Sequence, residues 1–155
     1  MSELLQLVVF APFLVLAAAS DLTRLRIPNW VSLVAIGVFV ATLPMAGLQE
    51  AGLRLTVAGV TFSIGFALWM LRMFGGGDVK LLSCFLLLVP STDVLPFLQL
   101  FAVSLAIGLA TVVGMRRSGA FAGRGWVSMQ AEGQFPMGIS IALAGIGLVI
   151  LRLLA

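Results

Sequence analysis

The chain has 155 residues, 61% of them hydrophobic and only 10% charged, with a net charge of +3 and a mean hydropathy of +1.19. A soluble domain carries about 25% charged residues, so polar cover for a water-facing surface is missing and the composition is that of an integral membrane protein. With no histidine and a single cysteine, Cys84, the chain has no histidine metal ligand, no Ser-His-Asp triad, no internal disulfide and no four-cysteine zinc site.

In chain order, six apolar stretches are predicted to cross the bilayer: residues 4–20, 30–47, 55–71, 79–89, 94–115 and 137–154. About 20 helical residues span about 30 Å of hydrocarbon, and only the fourth stretch falls well short. The first ends Ala17-Ala18-Ala19 and imitates a secretory signal. However, Glu3 precedes it while Arg24 and Arg26 follow, the reverse of a signal peptide's charge order. A retained span is expected. Pro28, Gly75, Gly76, Gly77, Pro90, Pro96 and Pro136 mark breaks, whereas Pro12 and Pro44 lie inside spans, where neighbouring helices compensate for the lost hydrogen bond. Cys84 reads as a small packing residue. The expected fold class is therefore an all-α integral membrane protein with six transmembrane helices. It is one polytopic domain over residues 1–155, with no separate soluble domain.

The charges orient this arrangement. Arg24, Arg26, Arg72, Lys80, Arg116, Arg117 and Arg124 fall in one set of loops, against Arg54 and Arg152 on the other side. Cytoplasmic loops carry the excess of Lys and Arg, so both termini are expected outside the cytoplasm. Scattered between apolar runs, these residues suit topology rather than nucleic-acid binding. Arg24 and Arg26 are expected to seat the chain against anionic lipid.

Six acids remain: Glu3, Glu50 and Asp93 on the outer side, read as ordinary loop or terminus charges, and Asp21, Asp78 and Glu132 on the cytoplasmic side. Asp21 ends the first predicted span and Asp78 begins the fourth. Two crossings lie between them, so both carboxyl groups reach the same membrane boundary. From Asp78 to Pro90 is only about 20 Å of helix, which places Asp78 below the surface or the bilayer thinner there. The three glycines before it permit irregular backbone and close approach of another segment. Two carboxyl groups at one level tend to share a proton, so one takes a proton from water while the other donates to a carbonyl oxygen or leaving nitrogen. The bland alternative is that each Asp caps a helix. That suits Asp78 at a helix N-terminus but not Asp21 at a C-terminus.

These residues carry a resemblance. Asp21-Leu22-Thr23-Arg24-Leu25-Arg26-Ile27-Pro28-Asn29 resembles the motif after the first helix of type IV prepilin peptidases. Gly75-Gly76-Gly77-Asp78-Val79-Lys80-Leu81-Leu82 resembles that family's GxGD motif, and Pro136-Met137-Gly138 its Pro-x-Gly stretch. The resemblance implies a membrane aspartic endopeptidase, with catalytic Asp21 and Asp78. It would remove the leader from prepilins at the cytoplasmic face of a bacterial inner membrane, with no metal or organic cofactor. The partners it implies are a prepilin, with its leader and N-terminal hydrophobic helix, membrane lipid and pilus assembly machinery. Only residues 22–29 separate the first two spans, where larger members carry an insert with paired Cys-x-x-Cys motifs. The chain is thus similar to the short form associated with tight-adherence (Flp-type) pili, and N-methyltransferase activity is not expected. The third motif departs from the family only in Met137, where an aromatic residue is common.

Supporting or substrate-binding roles fall to Gly75, Gly76, Gly77, Lys80, Pro136 and Gly138. Lys80 either tunes Asp78 or snorkels to the cytoplasm. Pro136 and Gly138 either shape a surface for an extended substrate or simply start a helix. Glu132 reads as a solvated loop acid, Trp30 and Trp69 as interfacial anchors. Gly108, Gly114, Gly145 and Gly147 read as close helix-packing positions. The competing functions are an aspartyl peptidase for another membrane substrate, a proton-coupled transporter subunit and a silent assembly scaffold. The transporter reading suits a midplane site between repeats, whereas here both acids lie toward one face and no repeat is present.

Overall fold

The computed structural model describes residues 2–118 and 136–154. Among them it is all helical: α1 (Ser2–Arg24), α2 (Asn29–Ala46), α3 (Leu48–Met70), α4 (Gly76–Leu86), a 3₁₀ turn (Ser91–Asp93), α5 (Val94–Ser118) and α6 (Met137–Leu154). Among the described residues five stretches are long and apolar enough to cross a membrane: Leu4–Arg24, Asn29–Ala46, Leu48–Met70, Ser91–Thr111 and Met137–Leu154. Exposed Leu55, Val60, Phe62, Val103 and Ile107 give α3 and α5 an apolar exterior, as a lipid-facing surface requires.

The expected span over residues 79–89 is not among them. Helix α4 has 11 residues, about 16 Å of rise, too short to cross by itself. It packs against α2, α3 and α6, and the non-helical stretch after it, with Leu87, Leu88, Val89 and Pro90, is buried as well. Irregular backbone is tolerated at membrane depth where protein surrounds it. Just beyond that stretch, at Ser91, both the backbone N–H and the hydroxyl donate to the Glu50 carboxylate at the start of α3, at 2.8 and 2.7 Å.

Helices α1, α6 and α5 form one layer and α2, α4 and α3 the other. The contacts between α1 and α2 and between α4 and α6 join them. Phe85 of α4 stands at the centre, its ring 6.0 Å from Phe10 and 5.3 Å from Phe97. Gly145 admits this cluster, since a Cβ there would lie 2.5 Å from Leu14 and 2.9 Å from Phe85. Of the other predicted packing glycines, Gly147 makes only ordinary contact with Leu100 and Gly114 faces open space. Cys84 is half-buried against the core.

The end of the bundle holding Glu50 corrects the reading of the outer charges. Helix α3 starts at Leu48 rather than residue 55, and Arg54, expected in a loop, is a fully buried helical residue. Its Nε donates to Glu50 at 2.8 Å and its Nη1 to Gln6 at 2.7 Å. Asp93 is also buried. Arg152 of α6 holds it with two hydrogen bonds, from Nε at 2.6 Å and from Nη2. These acids are not ordinary loop charges but parts of a polar clasp joining α1, α3, α6 and the 3₁₀ turn.

Candidate active site

The opposite end is organised by the two aspartates. Helix α1 runs on to Arg24, past the predicted end at residue 20, so Asp21 lies inside its last turn and not at its terminus. Asp21 is buried. A carboxylate near a helix C-terminus opposes the helix dipole, and here a second helix supplies the compensation. The backbone N–H of Gly138, in the first turn of α6, donates to Asp21 Oδ2 at 2.8 Å. A helix N-terminus offers such unpaired N–H groups and a favourable field for negative charge. Gly138 also has to be glycine for space: a Cβ would lie 2.9 Å from both Cβ and Oδ2 of Asp21.

Asp78 occupies the first turn of α4, whose N-cap is Gly75. Its carboxyl group turns back toward Gly75, the position from which a side chain in the first turn caps a helix. A Cβ on Gly75 would lie 2.5 Å from Asp78 Oδ2, while Gly76 faces Trp69 and Gly77 faces Ile27 at ordinary to tight distances. Only the first glycine of the run is thus required by the carboxyl group itself. Oδ1 of Asp78 is buried and has no hydrogen-bond partner among the described residues. An orphaned buried oxygen demands an explanation, and capping alone provides none.

Asp21 and Asp78 line one cavity of about 690 Å³, together with Leu25, Arg72, Met73, Phe74 and Gly75, with Leu105, Ala106 and Leu109 of α5, and with Met137 of α6. A second, smaller cavity of about 140 Å³ shares Asp78, Phe74 and Met137 with the first. Leu25 and Arg72, where α1 and α3 end, have φ of 50° and 59°. That left-handed conformation usually belongs to glycine at helix ends. Both line the larger cavity, and strained backbone of this kind clusters at functional sites.

Of the remaining expected residues, Pro136 is buried just ahead of α6. Lys80 is exposed and lines neither cavity. Trp30 and Trp69 are each 46% exposed, as interfacial anchors require. Arg124 and Glu132 lie outside the described residues, as do the side chains of Glu3, Arg116 and Arg117. Met137, Phe74, Arg72 and the α5 wall were missed from sequence. Met137 alone had a signal, its place between Pro136 and Gly138. Among the described residues no three His, Cys, Asp or Glu side chains gather as a metal site; two carboxyl groups face a partly apolar cavity.

The model of one known family, described as the Type IV leader peptidase family, matches residues 8–115, more than half of the chain. The matched stretch contains both aspartates and ends before α6, so the place of Gly138 comes from the structure alone. Comparison with curated proteins and with solved structures found no match.

Proposed function

Since the chain belongs to the type IV leader peptidase family, we propose that it is a membrane aspartic endopeptidase that removes the leader from type IV prepilins, with Asp21 and Asp78 as the catalytic pair. One observation carries this reading: two acids from distant helices line one cavity, the buried Asp21 oriented by a helix N-terminus and the half-buried Asp78 keeping a buried oxygen unpartnered among the described residues. A structural pair of acids would be expected to hold cations, as Glu50 and Asp93 do at the other end.

The reaction is amide hydrolysis. Water between the carboxyl groups loses a proton to the ionised member and attacks the scissile carbonyl carbon, while the protonated member donates to the carbonyl oxygen. Collapse of the tetrahedral intermediate breaks the C–N bond: the leaving nitrogen takes the proton gained from water, and the other carboxylate recovers its proton from a hydroxyl of the intermediate as the carbonyl reforms. No covalent enzyme intermediate forms. The excess of Lys and Arg at the aspartate end supports an active site facing the cytoplasm of a bacterial inner membrane. The short connection between α1 and α2 supports a Flp-type prepilin as substrate and a peptidase without the methyltransferase insert.

The test is processing of a Flp-type prepilin in membranes holding wild type, Asp21→Asn or Asp78→Asn at equal expression. Asn keeps size and polarity but cannot cycle a proton. Cleavage by wild type and loss in each variant is the expected result. Cleavage by both variants sinks the dyad.

A further inference from the structure

The short connection between α1 and α2, residues 25–28, is held more firmly than a linker needs to be. The Leu25 N–H donates to the carbonyl oxygen of Asp21 at 2.8 Å, and the Ser20 hydroxyl donates to the carbonyl oxygen of Arg26 at 2.7 Å. Pro28 follows Ile27 and confines it to extended backbone, while the β-branch restricts its side chain. Ile27 is thus a stiff residue tied to the turn that carries Asp21.

Its other side lies on the glycine run before Asp78. A Cβ on Gly77 would stand 3.3 Å from Ile27 Cβ and 3.6 Å from its backbone nitrogen, so Gly77 leaves the gap that Ile27 fills. One line of contacts therefore runs from Ser20 through Arg26 and Ile27 to Gly77, and its ends are the residues preceding Asp21 and Asp78. Helix α1 packs chiefly on α6 and α2, and α4 chiefly on α3 and α2; Ile27 supplies a direct link beside the two aspartates. Ile27 is half-buried against the core but lines neither cavity. It reaches the chemistry only through its neighbours.

We propose that Ile27 is a positioning residue, the spacer between Ser20 and Gly77 that fixes how far apart Asp21 and Asp78 stand. The proposal rests on the peptidase reading and adds a residue to it. Two carboxyl groups that share one water tolerate little change in spacing, since misplacement by about 1 Å costs about 100-fold in rate. Ile27 touches no substrate in that cavity, so binding is spared. Plain core packing is the rival role, and it would lower stability while leaving turnover per folded molecule alone.

The experiment measures kcat and KM per folded molecule on a Flp-type prepilin in vesicles. It compares the full chain with Ile27→Val, Ile27→Ala, Gly77→Ala and the Ile27→Ala, Gly77→Ala double variant. Ile27→Ala is expected to lower kcat by about tenfold to 100-fold, with KM within about twofold of wild type. Ile27→Val keeps the β-branch and is expected to recover most of that loss. Gly77→Ala pushes against Ile27 and should lower kcat in the same way, again sparing KM. Because both changes act on one contact, the double variant should lose less than the product of the single losses. A wild-type kcat per folded molecule in Ile27→Ala overturns the proposal, as does a loss carried by KM or single losses that multiply in the double variant. Each of these leaves the peptidase reading intact, provided that wild type cleaves and Asp78→Asn does not. Absence of cleavage by wild type overturns both.

Discussion

The two ends of the bundle treat buried charge in opposite ways. At the Glu50 end, Arg54 is matched by Glu50 and Gln6, and Asp93 by Arg152. At the other end two acids face one cavity, and among the described residues neither has an ion pair. Pairing turns a buried charge into structure, because removing either partner strands the other. An acid set beside another acid keeps its proton in play. With the proposed function, the contrast puts stability at one end and chemistry at the other, and substitutions at each end should separate the two.

The largest stability loss is expected from Arg54→Met. It leaves Glu50 and Gln6 without their cation and costs about 3 kcal/mol or more. Thermal unfolding in detergent micelles measures this, and the cleavage rate per folded molecule should stay near wild type. An unchanged melting temperature would remove the clasp from the stability side of the contrast.

Next comes Gly138→Ala, whose methyl group collides with Asp21. The expected effect is a fall of about 100-fold in kcat with KM little changed, since geometry and not binding is lost. A fall confined to KM would show that Gly138 serves substrate contact instead.

Gly145→Ala should cost about 1–3 kcal/mol by overpacking against Leu14 and Phe85, read as a lower melting temperature with normal kcat. The smallest effect is a gain. Arg72→Gly relieves left-handed backbone at the mouth of the cavity and should add up to about 1 kcal/mol, while loosening the wall enough to lower kcat modestly. Destabilisation by that change would mean that the Arg72 side chain, and not its backbone, holds the turn.

The sequence displayed the aspartate end better than the clasp, for a physical reason. Asp21 and Asp78 sit in local motifs at helix boundaries, and the span count alone brings them to one face. Arg54 and Glu50 instead take their meaning from partners 48 and 41 residues away, so a linear reading left them as loop charges and began α3 too late. Helix α4 was misjudged in form because burial by α2, α3 and α6, and not length, satisfies it. The Gly138 contact spans 117 residues; the Pro-Met-Gly motif flagged the residue, but nothing in it revealed that the N–H reaches Asp21. The cavity walls from α5 had no local signature at all.

The claim that Asp21 and Asp78 work as one unit is best tested by a double-mutant cycle, measuring kcat/KM for Asp21→Asn, Asp78→Asn and the double variant on one prepilin. Residues acting as a unit are strongly non-additive. Each single change should therefore cost nearly all the activity, about 1,000-fold or more, and the double variant should be no worse. Partial losses that multiply in the double variant would contradict the shared-water mechanism and leave two independent acids.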